Sequence, residues 1–259
     1  RLGKAVTQIA RDWSEDGRME RQASYQPILD ALAAHFAELD PEEKGNIKVL
    51  APGAGLGRLT WEIVRIGFSC QANEFDLFMI IISAFILNQA TKINEYEFYP
   101  YIHTFSNRRT RDDLLTPSYF PDVEMEEILS SHGAASFATG DFLEVYQDFG
   151  IVLGVWDAIT TCFFIDTARN IVAYLKHIYA LLKPGGIWIN NGPSMWHFEN
   201  SSDGSSSIEL PIEDVKALAR RIGFEITDEK EFKASYITNP RYMLSNEYTT
   251  SFWVGRKPA

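Results

Sequence analysis

Three glycines at alternate positions, Gly53, Gly55 and Gly57, follow the β-type run Asn46 to Leu50 and the pair Ala51-Pro52. Such a turn bends sharply and leaves backbone N–H groups open to a ligand, because glycine has no Cβ to block the approach. Glu74 stands nineteen residues beyond Gly55, at the end of the next apolar run. An acid placed there can accept hydrogen bonds from ribose hydroxyls; the competing reading is a solvated carboxylate ahead of the next helix. Position 58 is Arg where a dinucleotide fingerprint requires glycine, and the Gly-Lys-Ser/Thr of a phosphate loop is absent. The spacing G-x-G-x-G fits the turn that receives S-adenosylmethionine, a nucleoside without a pyrophosphate. Gly140-Asp141-Phe142 would then offer a carboxylate to the adenine amino group and a ring to pack on the base, unless Asp141 only caps a helix.

Other chemistry is poorly represented. The five histidines show neither His-x-His nor His-Glu-x-x-His spacing, so no zinc site is expected. There is no Gly-x-Ser-x-Gly elbow. Cys162, on an apolar run, reads as a buried wall residue rather than a nucleophile. Arg108, Arg109 and Arg111 form the one basic cluster and read as a solvated loop face.

The elements that must position these residues alternate in type. Ile28, Leu29, Leu32, Phe36 and Leu39 recur at helical spacing within a helical stretch from Arg1 to Leu39, closed by Asp40-Pro41. The pattern then predicts a strand over Asn46 to Leu50, a helix from Arg58 to Ile66, a strand from Phe68 to Asn73, and a helix from Leu77 to Ala90 capped by Asp76. Strand, glycine turn, helix, strand opens a doubly wound α/β sheet. Asn94 to Val123 breaks the alternation and is rich in aromatics, which suggests an ordered cover over the site. Strands are expected again at Ser136 to Thr139, Val155 to Phe164, Ile187 to Asn190, Phe224 to Thr227 and Thr250 to Val254. Helices are expected from Asn170 to Leu182 and from Ile212 to Ile222. Lys183-Pro184-Gly185-Gly186 reads as a turn, and Asn200 to Ser207 as a flexible loop. The chain therefore divides into an N-terminal helical region (1–45), an α/β core (46–93 and 136–259) and an inserted lid (94–135).

Composition bounds the function. Of 259 residues, 46% are apolar and 23% charged, a mixture that folds around a core. With 35 acidic and 24 basic residues the net charge is −11, which disfavours phosphate backbones, so no nucleic-acid partner is expected. The longest apolar run, Leu77 to Leu87, contains Ser83 and is too short to cross a bilayer, so no membrane partner is expected. Two cysteines cannot make a disulfide framework and point to a reduced compartment, cytoplasm or nucleus. A chain beginning at Arg1 rather than Met is expected to continue upstream, where a targeting signal would be invisible.

Beyond the general pattern, the sequence resembles the carnosine N-methyltransferase family over nearly its whole length, from about Gln8 onward. The resemblance is carried by Arg11-Asp12-Trp13-Ser14-Glu15, Pro52-Gly53-Ala54-Gly55-Leu56-Gly57-Arg58-Leu59, Phe105-Ser106-Asn107, Phe120-Pro121-Asp122, Cys162-Phe163-Phe164-Ile165-Asp166-Thr167-Ala168 and His197-Phe198-Glu199-Asn200. It implies a Rossmann-like, seven-stranded class I methyltransferase that uses S-adenosylmethionine, leaves S-adenosylhomocysteine, and converts carnosine to anserine by methylating its imidazole. It further implies a cofactor set of Gln8, Arg11, Gly53, Gly55, Gly57, Glu74, Asp141, Phe142 and Cys162. Asp166 and His197 are implied as the catalytic pair. Asp166, His197, Tyr236 and Tyr248 are implied around the substrate. Either Asp166 or His197 could hold the imidazole, and a homodimer is compatible with the sequence. The rival readings are a protein-histidine methyltransferase, a nicotinamide-dependent oxidoreductase, and a non-catalytic binding module on the same fold.

Overall fold

The computed structural model describes residues 2–147, 153–201, 206–239 and 241–259. The N-terminal helical stretch is two helices, α1 (Leu2–Trp13) and α2 (Arg18–His35), separated by a 3-10 turn at Glu15–Gly17. The break has a local cause, since a Cβ at Gly17 would overlap the Arg11 carbonyl, so the chain doubles back on itself there. Asp40 starts a helix rather than closing one. Its carboxylate accepts from Glu43 N at 2.8 Å and the Glu43 side chain accepts from Asp40 N at 3.0 Å, a capping box for α3 (Pro41–Asn46).

The α/β series follows as β1 (Lys48–Pro52), α4 (Arg58–Arg65), β2 (Ser69–Glu74) and α5 (Leu77–Gln89). Asp76 caps α5 by accepting from Phe78 N, as expected. The insert contains an antiparallel pair, β3 (Tyr96–Phe98) and β4 (Ser118–Phe120), with a single helical turn, α6 (Asp112–Leu115), between them. The core resumes with β5 (Ala135–Thr139), α7 (Phe142–Val145), β6 (Trp156–Cys162), α8 (Ile171–Leu181), β7 (Leu182–Gly192), α9 (Ile212–Ile222), β8 (Glu225–Ala234) and β9 (Tyr248–Arg256). The Lys183–Gly186 turn is absorbed into β7, with Gly185 in the left-handed region donating its N–H to Lys257 O at 2.8 Å. Strands β8 and β9 are longer than the sequence pattern indicated because they pair with each other along most of their length. Of the expected loop over 200–207, residues 202–205 lie outside the described residues.

The seven core strands are ordered β5-β2-β1-β6-β7-β9-β8, with β9 alone antiparallel to its neighbours. The chain reverses its direction of strand addition between β1 and β6, the position where open α/β sheets bind ligands at the carboxyl ends of their strands. One apolar cluster, including Leu175, Trp188, Val215 and Trp253, packs α8 and α9 on one face of the sheet. Another, including Ile28, Leu32, Ile63 and Ile189, packs α2 and α4 on the other face. A third joins Trp13, Leu56, Trp61, Ile86 and Phe120, where α1, α4, α5 and the insert meet. None of the helices among the described residues is long and apolar enough to cross a membrane.

Candidate active site

A cavity of about 950 Å³ opens at the carboxyl ends of β1, β2 and β6, within the size range of small-molecule sites. Its floor is made of backbone. Gly53 and Gly55 have φ of +67° and +56°, and a Cβ at Gly53 would strike the Phe164 ring. Glu74, 7% exposed, ties this turn to β2: one oxygen accepts from Gly55 N at 2.8 Å, the other from Phe75 N and Asp76 N, each at 2.9 Å. Burial raises the Glu74 pKa and these three N–H bonds oppose the rise. A carboxylate offers about four acceptor sites, so a lone pair remains for a hydroxyl from the cavity. Asn73 completes the floor, accepting from Ala54 N through its carbonyl at 3.0 Å and donating from its amide to Gly140 O at 3.0 Å.

Asp141 lines the cavity and also caps α7, accepting from Leu143 N at 2.8 Å and Glu144 N at 3.3 Å. The helix-cap reading therefore holds, and the same residue borders the cavity. Phe142 borders the cavity with its ring set among Phe164, Tyr174 and His177, at centroid distances of 5.5, 5.4 and 5.0 Å. Gly57, grouped with the cofactor set on its spacing, is not among the lining residues. It sits at φ +80° at the start of α4, where a Cβ would meet Ser83 Oγ, so its place is set by packing α4 against α5.

The N-terminal wall is made of side chains. Gln8 and Arg11 both line the cavity, and Asp12 binds both of them. Asp12 accepts from Gln8 Nε2 at 2.8 Å, from Arg11 Nη1 at 2.7 Å and from the Tyr25 hydroxyl at 2.9 Å. Arg11 also donates from Nη1 to the Tyr25 oxygen at 2.7 Å and from Nε to Glu20 at 2.5 Å. Asp12, Glu20 and Tyr25 were missed from the sequence. Asp12 adjoins Arg11 in a stretch that carries the family resemblance, but nothing in the spacing of Tyr25 or Glu20 announces a partner on another helix.

Cys162, Phe163, His197 and Tyr236 also line the cavity, Cys162 and Tyr236 next to the N-terminal wall. Burial pushes the Cys162 thiol up to about 12, so it is a neutral wall residue, its Sγ 3.7 Å from Ser24 O. Tyr236 stacks on Phe163 at 5.0 Å and lies beside the Arg11 guanidinium at 4.7 Å; burial pushes its phenol up to about 12. Tyr248 packs edge-on to Phe163 at 6.1 Å and does not itself line the cavity. Nor does Asp166, which is 2% exposed behind the wall. The Asp166 carboxylate accepts from Met195 N at 3.0 Å and its carbonyl from His197 N at 3.1 Å. Burial raises its pKa, opposed by the Met195 bond and by the charge of nearby His197.

The insert over 94–135 supplies none of the cavity-lining residues. Instead Asp122 bridges the buried guanidinium groups of Arg21 and Arg58. Arg108 is not a solvated cation: it lies 3.9 Å over the Tyr242 ring and donates to the Tyr242 hydroxyl at 2.8 Å. Arg109 and Arg111 are exposed, as expected. Among the described residues no cluster of His, Cys, Asp and Glu is arranged to hold a metal.

Residues 1–259 match the family model for carnosine N-methyltransferase. The chain belongs to the carnosine N-methyltransferase family. It is 43% identical to the carnosine N-methyltransferase of Mus musculus over all of this chain and 63% of that protein. It is 44% identical to that of Drosophila melanogaster over 96% of this chain and 54% of that protein. Against the Schizosaccharomyces pombe relative the identity is 38%, over 99% of this chain and 70% of that one. The chain thus spans only about three-fifths of the length of the mouse relative. Among solved structures, magnesium protoporphyrin IX methyltransferase from Synechocystis, with bound SAH, aligns at TM-score 0.53 and 12% identity, over 98% of this chain and 93% of that one. A SAM-dependent methyltransferase from Methanosarcina mazei aligns at 0.53 and 12%, over 83% and 93%. These likenesses, with the strand order, give the class I methyltransferase fold. Within it the stretches 162–168 and 197–200, two of those that carry the family resemblance, both contribute lining residues to the cavity.

Proposed function

We propose that this cavity binds S-adenosylmethionine on the floor and an imidazole-bearing dipeptide against Phe163, His197 and Tyr236, methylating carnosine to anserine. The observation that carries the reading is that one cavity joins the Gly53–Gly55 and Glu74 floor to Phe163 and His197, which lie in stretches that carry the family resemblance, and to Tyr236. The floor fits the nucleoside: glycines that leave the backbone bare, a buried acid with a lone pair to spare, and a second acid at Asp141. Gln8, Arg11 and Cys162 would border the rest of the cofactor. S-adenosylmethionine, when bound, supplies a methyl group on a sulfonium.

The chain's task is then mainly positioning. A nucleophilic lone pair held about 3 Å from the methyl carbon and in line with the breaking bond accounts for up to roughly 7–11 kcal/mol of the barrier. An imidazole, with an ordinary pKa near 6.5, is mostly neutral at pH 7 and needs no strong base. It needs the proton kept on the far nitrogen and a negative partner for the cation that forms. His197 faces the cavity and can accept or donate to the bound ring, while the buried Asp166 carboxylate beside it supplies the charge. Tyr236 offers an aromatic wall for the ring, and Tyr248 backs it through Phe163.

Two free cysteines fit a reduced compartment, cytoplasm or nucleus, and a homodimer belongs to the same proposal. Thermal-shift titration with S-adenosylmethionine and NAD, followed by turnover on carnosine, free histidine and histidine-containing peptides, tests it. Stabilisation by S-adenosylmethionine alone with carnosine as the best substrate is the expected result. Stabilisation by NAD, or turnover restricted to proteins, would overturn it.

A further inference from the structure

The stretch after β8 brings Tyr236 to the cavity without belonging to the sheet, so something else must fix it. Ile237, β-branched, sits at φ +53°, a conformation that bulky residues avoid unless their surroundings impose it. Glu20, 7% exposed at the start of α2, imposes it. One carboxylate oxygen accepts from Ile237 N at 2.9 Å and the other from Thr238 N at 3.3 Å. Two successive N–H groups converging on an anion form a backbone nest. The oxygen bound to Ile237 N also accepts from Arg11 Nε at 2.5 Å, and Arg11 lies beside the Tyr236 ring. A second hold lies further along the same stretch. Arg108 and Tyr101 of the insert grip the Tyr242 ring, and Met243 N donates to Asn107 O at 2.9 Å. Neither Glu20 nor any residue of the insert lines the cavity.

We propose that Glu20 is a positioning residue that, by caging the Ile237 and Thr238 N–H groups, fixes the Tyr236 ring between Phe163 and Arg11 and so shapes the substrate end of the cavity. Arg108 of the insert is the second anchor of the same clamp. This rests on the reading that Tyr236 borders the imidazole substrate. The insert then acts on the site at one remove, by holding the chain that holds the tyrosine.

The test uses the full chain and the variants Glu20→Gln, Arg108→Met, Tyr236→Ala and Glu20→Gln/Tyr236→Ala. Glutamine keeps the volume but loses the charge and one acceptor oxygen. Glu20→Gln should raise the carnosine KM about tenfold with kcat nearly unchanged, the size expected for one hydrogen-bonded charge. Arg108→Met, which touches neither the cavity nor Arg11, should raise KM in the same direction by about threefold while leaving S-adenosylmethionine affinity within a factor of two. If Glu20 acts through Tyr236, the double variant will be less impaired than the two single losses multiplied together; independent, multiplying losses would overturn the proposal. Hydrogen exchange at residues 236–239, measured on the protein alone, should quicken in Glu20→Gln and in Arg108→Met. Unchanged exchange in both overturns the clamp whatever the substrate, whereas a wild-type chain inactive on carnosine would sink only the substrate reading. Should Glu20→Gln fail to fold, Arg108→Met carries the same exchange and KM comparisons.

Discussion

The two sides of the cavity are built by different means. On the floor, Gly53, Gly55, Glu74 and Asn73 are joined by backbone groups of loops that follow neighbouring strands of one sheet. On the N-terminal wall, Gln8, Arg11, Asp12 and Tyr25 are joined by side chains, Glu20 binds Arg11 from behind them, and Glu20 meets Ile237 across 217 positions of sequence. The floor needs only that the sheet form. The wall needs α1, α2, the insert and the β8–β9 stretch all to dock, and its buried charges must all find partners. A site of this kind can keep a constant cofactor seat while the substrate side is set by distant segments.

The largest expected effect falls on the wall. Arg11→Ala leaves Asp12 and Glu20 as buried carboxylates without their guanidinium, and breaking such a pair costs about 3–5 kcal/mol. Urea unfolding should register that loss, and a cost under about 1 kcal/mol would make the wall an ornament of the fold. Next comes Asp166→Asn, which removes the negative partner of the developing imidazolium. It should lower kcat roughly a hundredfold to a thousandfold, or about 2.7–4 kcal/mol, with S-adenosylmethionine affinity nearly intact. A rise confined to KM would move Asp166 from charge stabilisation to substrate binding.

On the floor, Glu74→Ala should weaken S-adenosylmethionine binding by about 1.5–3 kcal/mol in calorimetry. It should also lower stability, because the Gly55, Phe75 and Asp76 N–H groups lose their acceptor. Loss of binding without loss of stability would separate the ribose role from the tie to the turn. The smallest effect belongs to Gly57→Ala, which forces a side chain into the left-handed region at a cost of about 1–2 kcal/mol. Cofactor affinity should not change, since position 57 lies off the cavity.

A pH series sharpens the same contrast. The Asp166 carboxyl, raised by burial, holds its proton more tightly folded than unfolded. Its contribution to stability is therefore fully present below the ordinary carboxylate pKa and is lost as pH rises through the folded value. Relative to Asp166→Asn, the wild type should lose unfolding free energy as pH rises from the acidic range to neutrality. The opposite slope would mean that His197 and the Met195 N–H outweigh burial.

The difference between the two sides also explains what the sequence made legible. Floor residues announced themselves because Gly53, Gly55 and Glu74 act through short spacing and local geometry. The α/β order was readable for the same reason, from periodicity within each element. Gly17 split the first helix through a close backbone crossing that no periodicity encodes, and β8 outran its apolar signal because β9 was there to pair with it. Arg108 looked solvated because its partner, Tyr242, lies 134 positions away. Asp166 and His197 came to notice only through family resemblance, and the structure adds that His197 faces the cavity while Asp166 stands behind it.

The central claim is that the floor and the wall serve one reaction, methyl transfer to the imidazole of carnosine. Tandem mass spectrometry of carnosine incubated with the protein and S-adenosylmethionine tests it most directly. One added methyl group is expected on the histidine-derived imidazole fragment, and it should disappear with Glu74→Ala at low cofactor and with His197→Ala at any cofactor concentration. A methyl group on the β-alanyl amine, or unmethylated carnosine beside a methylated protein histidine, would contradict it.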